Sequence, residues 1–149
     1  MPVSNFTADD VLTAANMNLL PRGVMAYAQV TADQTGFTGT ASDITSLTAT
    51  WTAVAGRRYQ ITGHLNCVQQ NTTAGFWNLQ ITDSGGAIQA VAPHSLAVGE
   101  QAPITAFEVV VPGGGSITRK LRARTSAGTG DVLASSNRTA FILVEDLGV

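Results

Sequence analysis

The sequence has little charge, one cysteine and no long apolar run, and each shortage excludes a class of protein. Only 12% of its 149 residues are charged and the net charge is −2, which argues against a basic nucleic-acid-binding protein. The single cysteine, Cys67, excludes an intramolecular disulfide framework and a cysteine-based zinc site. No stretch approaches the roughly 18 consecutive apolar residues of a membrane-spanning helix, so no membrane association is predicted.

The amino terminus lacks the pattern of a secretion signal. The start, MPVSNFTADD, has no basic region followed by an apolar run, so we expect no signal peptide and synthesis in a cytoplasm. The hydrophobic content of 44%, combined with a low net charge, is typical of a folded chain rather than a disordered one. The length suits a single domain.

Threonine supplies much of the polarity that charged residues provide in other proteins. The chain contains 19 threonine residues and a single lysine. Threonine is β-branched and favours strands, where it gives a polar surface without charge. A surface with few charges is also typical of the buried centre of an interface, which hints at a component of an assembly.

Residues 1–23 differ from the remainder and predict a short, partly helical arm. Thr7 and Thr13 are candidate helix caps, and Pro21 prevents a helix from continuing beyond Leu20. A helix this short is not stable alone, so the arm must dock either on its own domain or on a neighbour. Its candidate partner-binding residues are apolar: Phe6, Val11, Leu12, Met17, Leu19 and Leu20.

From residue 24 to residue 149 the apolar residues recur with the period of two that is typical of half-buried strands. About eight strands separated by frequent turns predict an all-β domain, a single β-sandwich of jelly-roll or Greek-key type. Asp83–Gly86 and Pro112–Ser116 are predicted hairpin turns. Pro93 is predicted to end the strand that begins at Ala87.

No motif of an enzyme, a metal site or a cofactor site is present, so we expect a non-enzymatic protein without metal or cofactor. His64 and Cys67 are three residues apart on a predicted strand, which places them on opposite faces. Cys67 is predicted to be a small buried residue that faces the core with Leu65. His94 is predicted to lie in a solvent-exposed loop after Pro93.

Half of the positive charges lie within six residues, at Arg119, Lys120, Arg122 and Arg124. Alternation places Arg119 on the face opposite to the other three. The cluster is either a solvated face or protected sheet edge, or a contact stripe for an acidic partner. Nucleic acid is not favoured, because no aromatic residues interleave with the charges. Arg57 and Arg58 would extend the stripe if their strand were its neighbour.

Four segments resemble virion proteins of tailed bacteriophages, especially phages of actinobacterial hosts. The segments are FTADDVLTAANMN at residues 6–18, PRGVMAY at residues 21–27, GRRYQITGH at residues 56–64 and VEDLG at residues 144–148. Members of this group serve as head decoration, head fibre or minor tail proteins. The resemblance implies a short attachment segment followed by a β-sandwich, often as a trimer, and it carries over no catalytic residues.

Two functions follow as expectations. The first is a capsid (head) decoration protein, a homotrimer on the outer surface of the virion that binds and reinforces the major capsid protein and is assembled in the host cytoplasm. Residues 1–23 would then hold the shell or clasp a neighbouring subunit. The alternative is a minor tail or fibre protein that contacts other tail proteins and adheres to the host surface. Its binding site would lie in the loops at residues 36–42, 71–75 and 126–137.

Overall fold

The computed structural model describes residues 20–149, which form ten strands and no helix. In chain order the strands are β1 Gly23–Val30, β2 Gln34–Phe37, β3 Ser42–Ala53, β4 Arg58–Gln70, β5 Gly75–Thr82, β6 Ile88–Leu96, β7 Gln101–Val110, β8 Gly115–Thr125, β9 Gly130–Val132 and β10 Ala140–Gly148. The all-β prediction is confirmed. The two strands beyond the predicted eight are the short β2 and β9, which pair with each other. The helical turns predicted before Leu20 lie outside the described residues.

The strands form two antiparallel sheets whose inner faces share one core. The six-stranded sheet has the order β1-β10-β4-β9-β2, and β7 pairs with the other side of β4. The four-stranded sheet has the order β3-β8-β5-β6. Trp51 and Leu121 of the four-stranded sheet are buried in the same cluster as Tyr59 and Ile142 of the six-stranded sheet. The arrangement is sandwich-like, as the alternating sequence predicts.

The glycine-rich segment after β7 is not a hairpin, which corrects the prediction. β7 pairs with β4, whereas β8 pairs with β3 and β5, so the chain crosses from one sheet to the other at residues 111–114. Gly114 and Gly115 have φ values of +97° and +92°, which a reversal of this kind requires. Turn residues show where a chain bends but not which strand the next segment joins. The predicted hairpin at Asp83–Gly86 is confirmed by the pairing of β5 with β6.

Pro93 does not end its strand, because β6 continues to Leu96. Pro93 lies opposite Asn78 of β5, and β6 is the edge strand of its sheet. An edge position tolerates proline, since its missing N–H group leaves no ladder bond unmade on the open side. His94 is exposed, as predicted, but it lies on this strand and not in a loop.

Cys67 is buried, as predicted, but it does not face the core with Leu65. A bulge shifts the register between Leu65 and Val68, so Val68 takes the next core-facing position. The Cys67 thiol lies outside the core cluster and donates to Gln101 Oε1 at 3.4 Å. The spacing rule for opposite faces holds only in a regular strand, and the bulge breaks it between His64 and Cys67.

Candidate interaction surfaces

The outer face of the six-stranded sheet is built by rows of paired residues on four adjacent strands. Paired residues point to the same side of a sheet, so the register defines this surface directly. We call it the aromatic face. Its three rows are Val24, Glu145, Gln60 and Val109; Tyr27, Leu143, Thr62 and Phe107; and Gln29, Phe141, His64 and Thr105.

Six of the twelve side chains in the three rows of the aromatic face are apolar, and the apolar ones on the outer strands β1 and β7 are open to solvent. Val24, Tyr27, Phe107 and Val109 are 61%, 52%, 58% and 60% exposed. Of the twelve side chains in the three rows, Glu145 alone is an acid or a strong base. Exposed valine and aromatic side chains grouped on one sheet face, on both sides of the polar outward residues of β4, make this surface a candidate interaction site.

Rings from three strands pack together at the centre of the aromatic face. The Phe141 ring lies 6.0 Å from Tyr27 and 5.2 Å from His64, measured between ring centroids. His64 Nδ1 hydrogen-bonds Thr105 Oγ1 at 2.8 Å. Burial lowers the pKa of His64, because the charged imidazolium loses solvation, and the ring is therefore neutral at pH 7.

The sequence carries a signal for this surface, although a simple period of two does not show it. Residues 140–144 read AFILV, and residues 106–110 read AFEVV. A strand with one solvated face alternates between apolar and polar residues, whereas a strand covered on both faces carries a nearly continuous apolar run. Both runs indicate strands whose outer face, as well as the face toward the core, is buried against other residues or a partner.

The outer face of the four-stranded sheet is polar, and we call it the basic face. It carries Lys120, Arg122 and Arg124 of the predicted stripe, beside the threonines of β3. Asp43 partly neutralises the stripe, at 3.4 Å from Lys120 Nζ and 2.8 Å from Arg122 Nε. The face is therefore weakly cationic, with Arg124 exposed at its end.

Arg119 does not belong to the exposed stripe, because it points into the sandwich. Its Nε and Nη2 atoms donate to the two carboxylate oxygens of Glu108 at 2.7 and 2.6 Å. Both side chains are about nine-tenths buried. Glu108 lies on β7 and Arg119 on β8, so this bidentate ion pair joins the two sheets.

Arg57 also does not extend the stripe, since it is buried against the end of β10. Its Nε donates to Asp146 Oδ2 at 2.7 Å, and its Nη2 donates to Asp146 Oδ1 at 3.0 Å. Burial alone would raise the pKa of Asp146, but the hydrogen bonds from Arg57 and from the Gly148 N–H, with the positive charge of Arg57, lower it. Asp146 is therefore ionised at neutral pH.

Arg57 also binds the predicted arm, three residues before β1 begins. Its Nη2 donates to the Leu20 carbonyl oxygen at 2.5 Å, so the point where the arm meets the sandwich is held by a buried guanidinium. Leu20 is half-buried. The other candidate arm residues, Phe6, Val11, Leu12, Met17 and Leu19, lie outside the described residues.

The three loops that the sequence singled out for host binding meet at one end of the sandwich. The Asp131 carboxylate accepts hydrogen bonds from the Gly36 N–H at 3.0 Å and from Asn71 Nδ2 at 2.8 Å. The Thr125 N–H donates to the Thr38 carbonyl at 3.0 Å. A long-range carboxylate contact thus ties these loops into one surface.

Residues 20–149 offer neither a cluster of metal ligands nor a helix that could span a membrane. No three His, Cys, Asp or Glu side chains in this part of the chain lie close enough together to hold a metal ion. Within the same residues, no helix is long and apolar enough to cross a membrane.

Comparison with known proteins adds likenesses of architecture. No protein-family model and no curated protein matches the sequence. A chain of the cyanophage Pam1 capsid asymmetric unit is 16% identical, with 99% of each chain covered and a TM-score of 0.36. The globular domain of zebrafish complement 1qA protein is 12% identical, with 83% of this chain and 96% of that chain covered and a TM-score of 0.43.

A Bacillus endospore appendage protein, from a family of disulfide-linked pili, is 14% identical. The match covers 86% of this chain and 92% of that chain, with a TM-score of 0.38. Structural neighbours thus include a viral capsid chain and a pilus protein. At these low identities and TM-scores, the likenesses assign no function.

Proposed function

We propose that the chain is a non-enzymatic bacteriophage structural protein, a decoration protein that binds and reinforces the outer capsid surface as a homotrimer. The observation that carries the proposal is the aromatic face, an apolar surface that a lone soluble domain would leave bare to water. The four segments that resemble phage virion proteins support the same conclusion from the sequence.

We infer that the sandwich is of the jelly-roll type. The main strands run β1-β10-β4-β7 in one sheet and β3-β8-β5-β6 in the other. This order places consecutive strands in opposite sheets at several connections, as two interlocked Greek keys do. The short β2 and β9 are additions beside the end of β4. Such a fold suits an exposed particle surface, because it leaves few open strand edges.

The arm is the proposed attachment to the capsid or to a neighbouring subunit. Arg57 holds the Leu20 carbonyl of the arm and also binds Asp146, so a force on the arm would reach β10 as well as β1. This link lets a short segment anchor the whole sandwich.

Attachment through the arm is tested with full-length variants that place charge on its apolar side. We expect Leu12→Asp with Met17→Asp to reduce co-sedimentation with purified capsids at least about tenfold, since two apolar anchors would each lose well over 1 kcal/mol. Asp10→Asn is the matched control and is expected to bind normally. Unchanged binding by the double variant would contradict the anchoring role.

The location in the particle is tested by copy number in purified virions. A decoration protein is expected in a number comparable to that of the major capsid protein, counted by quantitative mass spectrometry. A number typical of a tail would contradict the decoration function and favour the alternative, a minor tail or fibre protein that adheres to the host surface. The meeting of the three loops at one end supports that alternative. Its distinguishing measurement is specific binding to purified host cell walls.

A further inference from the structure

We propose that the aromatic face is the surface through which copies of this chain contact one another. The inference rests on the proposed homotrimer and names the part of the molecule that forms it. Its occupant is a second copy of the chain, not the capsid and not the arm.

The first argument is exposure that spans the sheet from edge to edge. Val24 and Tyr27 on β1 and Phe107 and Val109 on β7 are each more than half exposed, and β10 and β4 lie between these strands. At about 4.8 Å per strand, the four strands give a surface roughly 20 Å wide, with exposed apolar side chains at both edges and the polar outward residues of β4 between them.

The size of the surface fits a contact that is shared by more than one neighbour. A patch roughly 20 Å by 20 Å covers about 400 Å², against about 800 Å² per partner in a typical stable interface. Exposed Val111 and Leu147 flank the rows and would extend the buried area. In a closed ring of three, each subunit contacts two others, so the face is divided between two neighbours and supplies only part of each contact.

The second argument is charge. The rows carry one charged side chain, Glu145, and Arg58 lies at the same end of the face. Two copies can therefore meet with Glu145 of one near Arg58 of the other. A strongly acidic or basic partner would need a cluster of opposite charges on this face, and the three rows contain no such cluster. The basic face would repel a copy of itself, because three cations there share one carboxylate.

The third argument is the chemistry at the centre of the face. The polar side chains beside the aromatic rings are Gln29, Thr62, His64 and Thr105, which are neutral at pH 7. Tyr27 donates to Gln29 Oε1, and His64 hydrogen-bonds Thr105. Neutral, internally paired groups cost little to bury in a contact. The face is therefore suited to be covered completely by a neutral apolar partner, which a second copy provides.

The test compares one matched substitution on each outer face in the full chain. Phe107→Asp places a charge in the middle row of the aromatic face, at its β7 edge, and Thr50→Asp places one on the basic face at an exposed strand position. We expect wild type and Thr50→Asp to be trimers by sedimentation velocity. Phe107→Asp is expected to associate at least about thirtyfold more weakly, as at an interface hot spot. Circular dichroism checks that both variants are folded.

A second variant, Tyr27→Asp at the opposite edge, keeps the test decisive if Phe107→Asp does not fold. A wild-type dimer that either variant dissociates would confirm the face and contradict the trimer. An oligomer that persists in both folded variants overturns the inference. A wild-type monomer also overturns it, and loss of capsid binding by Phe107→Asp in that case would leave the decoration function standing.

Discussion

The two outer faces of this sandwich are built by the same alternation and yet have opposite surfaces. On the four-stranded sheet, outward positions carry Thr50, Lys120 and Arg124, and water covers them. On the six-stranded sheet, outward positions carry Tyr27 and Phe107, whose exposure to water is unfavourable in free energy. The comparison teaches that inward residues define the fold, whereas the outward residues of one sheet determine what the protein contacts.

One buried ion pair supports both faces. Glu108 lies between Phe107 and Val109 of the aromatic face, and Arg119 lies between Thr118 and Lys120 beside the basic face. Side chains alternate along a strand, so Glu108 and Arg119 point inward while their neighbours point outward. The ion pair therefore connects β7, which carries part of the aromatic face, to β8, which carries the basic stripe.

The largest effect is expected from breaking this connection. Glu108→Ala leaves the buried Arg119 without its carboxylate and should lower the free energy of unfolding by about 3–5 kcal/mol, measured by urea denaturation. Glu108→Leu with Arg119→Met removes both charges and should restore much of the loss. A single variant as stable as wild type would show that the two faces do not share this support.

Acidification should act through the six-stranded sheet, because His64 and Asp146, the two groups among residues 20–149 with shifted pKa values, both lie on it. Burial lowers the pKa of His64 below 6.5, so its contribution to stability is complete above that pH and is lost as pH falls through the lowered pKa. Asp146 also has a lowered pKa, so its contribution is complete above 3.8 and is lost on further acidification.

Stability should be lost in two stages on acidification, first through His64 and then, at lower pH, through Asp146. Unfolding measured across this pH range separates the two stages. His64→Gln should remove the first stage, and it should also make any self-association less sensitive to acid. Asp146→Asn should remove the second and cost about 2 kcal/mol at neutral pH, because a charged hydrogen-bond acceptor is lost. A wild-type stability that does not change between neutral and mildly acidic pH would contradict the role given to His64.

The smallest effect is expected on the basic face. Lys120→Gln with Arg124→Gln removes exposed charges and should change the free energy of unfolding by no more than about 0.5 kcal/mol. Oligomeric state should be unchanged. If the stripe contacts an acidic partner on the capsid, binding should weaken severalfold at low salt and little at high salt. Equal binding at both salt concentrations would leave the basic face as a solvated surface.

Much of the sandwich was predictable because alternation is a local property. Leu47, Trp51 and Leu121 occupy inward positions that a period of two identifies without any knowledge of the partner strands. The hairpin at Asp83–Gly86 was predicted correctly from its turn residues, whereas the same reasoning failed at residues 112–116, because turn residues do not specify the partner strand.

The candidate surfaces were less predictable, because they depend on which strands become neighbours. The basic stripe is contained in one strand and was visible in the sequence, but the approach of Asp43 from β3 was not. The aromatic face needs Tyr27, Phe141 and Phe107, which come from three strands far apart in the chain. No local pattern specifies that they share a side.

The sequence alone determined the secondary structure class, the inward-facing residues and the low charge of the surface, because composition and alternation act over a few residues. Only the tertiary structure decided that residues 111–114 cross between sheets, that the bulge turns Cys67 away from the core, and that Arg57 meets Asp146. These outcomes depend on strand pairing and packing between distant segments, and it is this pairing that gathers scattered aromatic residues into one face.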